Sequence, residues 1–402
     1  MIEIPRYVKK VLNTLEESGF EAFVVGGCVR DGIMGKNPSD WDVCTSAAPN
    51  LTQKVFSGIM PTIPTGIKHG TVTVLSDNMP IEVTTFRVDG GYSDSRRPDD
   101  VSFVSDINID LSRRDFTINS MAYNEARGLI DPFGGREDIK KKIIRCVGDP
   151  EKRFSEDALR IIRALRFSAV CGFEIEADTA TAARALSYKL CGIAAERIYA
   201  ELKKLLLADS PSRVLIKYRD IFERILPECF GSEVFDAEMC VAADYMPKDF
   251  ALRLAAVCAV AGDDIGLAAG RLKPDLKTKR RVCKTVKNIN ALPPVTKAEA
   301  LRFVKESGAE AALDTAVFNS VIFGDEAHKN ALKIIQSLDK DKDCWSLKQL
   351  KANGADMIAM GISGRNIGDM LEKLLDEVID GRCENNRGAL LSMAKRIISN
   401  KT

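Results

Sequence analysis

The stretch Phe20–Cys44, FEAFVVGGCVRDGIMGKNPSDWDVC, decides how the rest of the chain is read. An apolar run from Phe20 to Val25 leads straight into Gly26-Gly27 and a helix start. Paired glycines let a backbone approach phosphate oxygens closely, and the helix N-terminus that follows offers unpaired N–H groups and a positive dipole end. A tight strand-to-helix turn needs glycine anyway, so the pair alone carries little. In Asp40-Trp41-Asp42 two acids stand two apart, and a strand puts both carboxylates on one face. Val43-Cys44-Thr45 continues the strand, which excludes a calcium loop with its recurring oxygen ligands. A solvated acid pair is one account of Asp40 and Asp42. Magnesium bound by both is the other, since it resolves the repulsion of two like charges. The glycine turn just upstream favours the metal.

A third acid lies in Pro80-Ile81-Glu82-Val83-Thr84-Thr85-Phe86-Arg87, where Glu82 alternates against Ile81 and Val83. An acid on such a strand is expensive to bury unless it is paired or metal-bound, and Arg87 is the alternative partner. In Arg113 to Ser120, RRDFTINS, guanidinium groups suit a triphosphate, and an Asp or Asn suits ribose hydroxyls. Asp131 to Asp138, DPFGGRED, reads as a structural turn closing the unit. Ser155 is the expected N-cap of a helix through Phe167, with acids in its first turn. Asp157, Arg160, Arg163 and Arg166 then form a polar stripe, read either as a solvated face or as a base reader. Cytosine and adenine share an exocyclic amino donor beside a ring-nitrogen acceptor. One Asp and one Arg complement both, whereas uracil and guanine present a carbonyl at that place.

The chain has 402 residues, 45% hydrophobic and 29% charged, so two or more packed units are expected. No signal-peptide pattern or bilayer-length apolar run occurs, and the expectation is a soluble, cytoplasmic protein. Eleven cysteines without a Cys-x-x-Cys pair read as reduced core thiols. With two histidines in all, any metal must rest on carboxylates, which suits magnesium. The formal charge of +1 excludes a generally sticky polycation and leaves an RNA partner to local basic clusters such as Lys203-Lys204 and Lys277 to Arg281. Up to about residue 150, strands are expected at Phe20–Val25, Trp41–Cys44, Thr71–Leu75, Ile81–Arg87 and Ile143–Val147, with helices over Tyr7–Glu17 and Val29–Met34. Beyond Asp149-Pro150 the pattern is almost wholly helical. Asp89–Asp100, DGGYSDSRRPDD, has the composition of a mobile loop.

The motifs GGCVRD with DWD, EVTTFR, RRDFTIN, DPFGGRED and EDALRIIR follow one another over residues 20–170. In that order they resemble the class II (bacterial and eukaryotic-type) tRNA nucleotidyltransferases, the CCA-adding enzymes, together with the related bacterial poly(A) polymerases. Glu196-Arg197-Ile198 with Glu201 to Lys204 resembles that family's helical neck, and Met360–Asn385 its C-terminal RNA-binding region. Residues 230–350 carry no matching motif, so the body is inferred from periodicity.

The resemblance implies an α+β protein: a polymerase-β-like nucleotidyltransferase head (1–150) followed by an all-helical neck (151–210), body (211–290) and tail (291–402). It implies template-independent transfer of CMP, CMP and AMP from CTP and ATP to the tRNA 3′ end, with release of pyrophosphate. Asp40 and Asp42 would hold magnesium, and Glu82 would be a third catalytic acid. Gly26, Gly27 and Arg30 would lie near the triphosphate, and Arg114, Asp115 and Asn119 near the nucleotide. Asp157 and Arg160 would template the base, with Arg163 and Arg166 beside them. The acceptor end of tRNA would be held by shape and phosphates. The Asp89–Asp100 stretch matches a family loop implicated in switching from CTP to ATP, and its full length favours A addition. An A-adding enzyme and a poly(A) polymerase are the alternatives within the class, and a catalytically silent tRNA-binding protein outside it. A Rossmann-type binder is disfavoured, because Gly26-Gly27 lacks the third glycine.

Overall fold

The computed structural model describes residues 2–90 and 101–399. Its contacts divide the chain into two compact units, Met1–Phe230 and Gly231–Thr402. Residues 211–230, assigned to the body from the sequence, therefore pack with the first unit.

The first unit is built on a seven-stranded sheet: β1 (Ala22–Val25), β2 (Asp42–Thr45), β3 (Thr62–Gly66), β4 (Thr71–Ser76), β5 (Met79–Thr85), and two short strands after residue 120. The spatial order is β3, β4, β5, β2, β1, Ala122–Asn124, Gly128–Ile130, and only the β2–β5 pair is parallel. All four residues of β1 are buried, as a central strand covered on both faces requires. Helices α1 (Arg6–Glu17) and α3 (Pro49–Phe56) pack on one face, α1 through Val8, Val11, Leu12 and Leu15. On the other, Phe23, Val25, Cys44 and Ala122 meet Ile107 and Leu111 of α4 (Ile107–Ser112). Between them in the chain, α2 (Gly27–Ile33) follows β1 with Gly26 as its N-cap.

Pairing register now decides where the acids go. Asp42 is opposite Val25 on β1 and opposite Glu82 on β5. Directly opposed residues share a face, so Asp42 and Glu82 stand side by side at the rim of the α4 face. On β5, Ile81, Val83 and Thr85 are buried while Glu82 is open, which is the alternation expected from the sequence. Asp40 lies two residues before the first residue of β2.

Beyond residue 130, Asp131 accepts from the backbone N–H groups of Gly135 (2.6 Å) and Arg136 (2.9 Å), starting the helix Gly135–Lys141, α5. An added Cβ at Gly135 would sit 2.2 Å from the Thr117 carbonyl oxygen, so only glycine lets this helix close on the RRDFTIN segment. Two expectations fail here. The helical part contains a strand, Glu174–Ile175, paired in parallel with Ile143–Ile144. Ser155 is not an N-cap: it lies inside α6 (Pro150–Glu156), which Asp149 caps with Pro150 in its first turn. Asp157 has extended backbone and breaks the chain between α6 and α7 (Leu159–Cys171). Helix α8 (Ala177–Ala185) and helix α9 (Ala195–Leu206) follow, and α9 lies along α7.

The second unit is helical. Its larger helices include Leu276–Lys287, Ala309–Ile322, Asn366–Ile379 and Arg387–Ser399, and one of its cores gathers Leu301, Met357, Leu374, Leu375, Leu390 and Ala394. Arg281 bridges Asp249 and Asp314 across three of its helices. All eleven cysteines are free, and most are buried. Among the described residues, no helix is long and apolar enough to cross a membrane.

Candidate active site

A cleft of about 760 Å³ opens in the first unit. Every residue singled out from the sequence lines it: Gly26, Gly27, Arg30, Asp40, Asp42, Glu82, Arg114, Asp115, Asn119, Asp157, Arg160, Arg163 and Arg166. Gly26 has a left-handed φ of +74°, and a Cβ there would come within 3.1 Å of Arg114 Nη1. The glycine turn is thus both a conformational need and a seat for a guanidinium.

At the sheet end, Asp40, Asp42 and Glu82 are all open to the cleft. Among the described residues none of the three forms an ion pair; Arg87, the alternative partner for Glu82, turns to the His69 carbonyl. Protein surrounding the Asp42 carboxyl pushes its pKa up, and Glu82 and then Asp40 add to the rise, against an opposing pull from Arg114. The chemistry of this donor set fits a hard divalent ion, being all carboxylate oxygen and electrostatically unsatisfied. No three acids among the described residues close on one point. Magnesium usually takes only one or two protein carboxylates and completes its shell with phosphate oxygens and water, so the open arrangement remains compatible with it.

In the middle of the cleft Asp115, Asn119, Arg30, Arg163 and Arg166 are engaged with protein partners. Buried Asp115 accepts from Arg163 Nε (2.8 Å) and Nη2 (2.6 Å) and from Asn119 Nδ2 (3.3 Å). Burial alone would raise its pKa, but the charge and hydrogen bonds of Arg163 outweigh that and bring it to about 2. Arg30 donates to Asn119 Oδ1 at 2.7 Å. Arg166 lies 3.8 Å above the Phe167 ring and pairs with Glu201 of α9 at 2.7 Å.

At the helical end, one Asp157 oxygen accepts the N–H of Leu159, the first residue of α7 (3.0 Å), while the other accepts from Arg197 Nη2 of α9 (2.8 Å). Arg160 donates to Glu156 (2.6 Å) and to the backbone carbonyls of Arg153 (3.2 Å) and Arg113 (3.3 Å). Arg160, Arg163 and Arg166 lie on α7, whereas Asp157 is held beside them by the helix break. The sequence offered the Arg113-Arg114 guanidiniums to a triphosphate but did not place Arg197 or Lys204 at the site; Arg113 and these last two all line the cleft. The ERI–ELKK segment was the available signal for the last two.

A mixed sheet carrying acids on adjacent parallel strands, a glycine turn beside them and a helical annex define the class: a nucleotidyltransferase with a polymerase-β-like head. Residues 22–145 match the poly A polymerase head domain, and residues 172–230 the probable RNA and SrmB-binding site of polymerase A. The chain is 37% identical to a CCA-adding enzyme of Leuconostoc mesenteroides over 97% of this chain and 96% of the relative. It is 35% identical to one of Pediococcus pentosaceus over 97% of each. The crystal structure of the Bacillus stearothermophilus CCA-adding enzyme in complex with CTP superposes with a TM-score of 0.83 at 28% identity, covering 99% of both chains. The chain belongs to the class II CCA-adding enzyme family.

Proposed function

We propose that this chain adds CMP, CMP and AMP, from CTP and ATP, to the 3′ end of tRNA, releasing pyrophosphate. The observation that carries the reading is the register that sets Asp42 beside Glu82 on parallel strands, in the same cleft as the Gly26 turn and the Asp157–Arg160 pair. Relatives named as CCA-adding enzymes match along nearly the whole chain, which favours this over A addition alone, poly(A) synthesis or silent tRNA binding. A tRNA-processing role puts its work in the cytoplasm.

Arg114 and Arg30, with the backbone at Gly26-Gly27, hold the triphosphate, and Asp115 and Asn119 keep the cleft arginines aimed. Asp157 accepts from the amino group of cytosine or adenine while Arg160 donates to the adjacent ring nitrogen. Both residues are already fixed by protein contacts, so the incoming base meets a formed surface. Asp40 and Asp42 would hold magnesium, and Glu82 is the third acid beside them. The family is metal-dependent, and such an ion, when bound, lowers the pKa of the attacking 3′ hydroxyl and neutralises charge on the phosphates. The transfer is a direct displacement at the α-phosphate and needs no protein nucleophile. The neck (151–210), body and tail (to 402) carry the tRNA acceptor arm.

The test is extension of tRNAs ending at the discriminator base or at CC, with magnesium and with CTP and ATP supplied singly and together. CTP incorporation followed by a single AMP is the expected product. A gain of A only on CC-ended tRNA would replace the reading with A addition, and unlimited AMP addition would replace it with poly(A) synthesis.

A further inference from the structure

Asp110 on α4 is 1% exposed and touches neither the cleft nor the sheet acids, yet it holds two cleft arginines at once. Its Oδ1 accepts from Arg113 Nε (3.0 Å) and Nη2 (2.8 Å), and its Oδ2 from Arg114 Nε (3.3 Å) and Nη2 (3.0 Å). The three residues sit at i, i+3 and i+4, where one helical turn and its C-cap bring side chains together. A further bond, from the Arg87 backbone N–H to Oδ1 (3.3 Å), ties the carboxylate to the segment just past β5. Burial works against an ionised Asp110, and the two guanidiniums overcome it, holding its carboxyl below the ordinary range.

The grip is directional. Arg114 is held through its Nε–Nη2 edge, which leaves Nη1 as the end that reaches the Gly26 turn, 3.1 Å from the point a Cβ would occupy. No described residue accepts from that Nη1. The held Arg114 guanidinium thus lines the cleft beside the Gly26 turn. A loose arginine would lose rotamer freedom each time a nucleotide bound, whereas a held one has lost it already.

We propose that Asp110 is a positioning residue for nucleotide binding: it presets Arg114, with Arg113, for the polyphosphate that ATP and CTP share. The proposal rests on the nucleotidyl-transfer reading and adds a residue to it. Because the polyphosphate is common to both nucleotides, Asp110 has to act on both alike, unlike the base-reading residues.

The experiment is steady-state kinetics of the full chain, with CTP on discriminator-ended tRNA and ATP on CC-ended tRNA. Asp110→Asn should raise KM for both nucleotides about tenfold or more, leave the ratio of the two KM values unchanged, and change kcat less than about threefold. Asp110→Glu, which restores the charge, should recover most of the loss. A folded Asp110→Asn protein with unchanged KM, or with KM altered for one nucleotide only, overturns the proposal. If circular dichroism finds Asp110→Asn unfolded, Arg114→Lys carries the test. It keeps the charge but removes the edge that Asp110 grips: KM rising for both nucleotides supports positioning, and unchanged KM overturns it. A wild-type chain that transfers neither CMP nor AMP would instead sink the functional reading.

Discussion

At the sheet end of the cleft, Asp40, Asp42 and Glu82 stand open with no ion-pair partner among the described residues, and the protein around the Asp42 carboxyl, helped by the charge of its acidic neighbours, pushes its pKa up. At the helical end, Asp157 is tied to Arg197 and the α7 N-terminus, Arg160 to Glu156 and two carbonyls, and Arg163 to Asp115. One end stores electrostatic tension that a bound cation would relieve. The other has already satisfied its charges inside the protein. The difference suits the roles proposed for the two ends: chemistry needs groups that become comfortable only with ligand present, whereas reading a base needs donors and acceptors that do not move.

Charge removal should therefore act in opposite senses at the two ends. Asp42→Asn is expected to lower the single-turnover rate by about a thousandfold or more, since the site loses its central acid. The same change should raise the melting temperature in metal-free buffer. The sign follows from linkage: a carboxyl whose folded pKa is raised is destabilising when ionised, so a neutral side chain relieves the fold at neutral pH. Magnesium should then stabilise the wild type more than Asp42→Asn. A melting temperature that falls in Asp42→Asn without metal would break the comparison.

Asp115 is the opposite case. Its folded pKa is about 2, below the ordinary value of 3.8, so it contributes stability above pH 4 that is lost as pH falls from about 4 towards 2. That contribution is about 2 kcal/mol at neutral pH. Asp115→Asn should lose about that much, read by urea unfolding at pH 7, and should flatten the acid limb of stability between pH 4 and 2. An unchanged acid limb would mean that Arg163 does not hold the carboxylate as the geometry indicates.

How much of this was legible follows from the range of each interaction. The β1–turn–β2 unit could be read because alternation, paired glycines and the Asp40/Asp42 spacing are local. Glu82 was named as the third acid, but its direct pairing with Asp42 was out of reach, because it depends on a parallel pairing of residues forty apart, which no local pattern specifies. Strand β3 escaped notice because Pro64 and exposed neighbours suit an edge strand and blur its pattern. Ser155 misled because acids follow it as they follow a real cap. Asp149-Pro150, read only as a boundary, was the true helix start. Asp110 was missed although its spacing to Arg113 and Arg114 was in plain view, because one acid before two arginines looks like any solvated ion pair until its burial is known.

The base-reading end can be probed at two depths. Asp157→Ala removes the proposed acceptor for the amino group and also the carboxylate that accepts the Leu159 N–H. Discrimination of CTP over UTP should fall by about tenfold or more, measured as the ratio of kcat/KM values. Selectivity that survives this change would make the base-template assignment wrong.

Arg197→Met is the smaller and more pointed change, since it keeps Asp157 and removes only one of its two restraints. The Leu159 N–H at 3.0 Å still holds the other oxygen, so the carboxylate should keep its place on average and lose only part of its rigidity. The expected result is a rise in KM for CTP and ATP of about threefold, with discrimination against UTP largely kept. If Arg197→Met instead matched Asp157→Ala, the α9 contact would be the element that forms the reading surface. The contrast between the two ends of the cleft would then rest on one ion pair between α9 and the α6–α7 break.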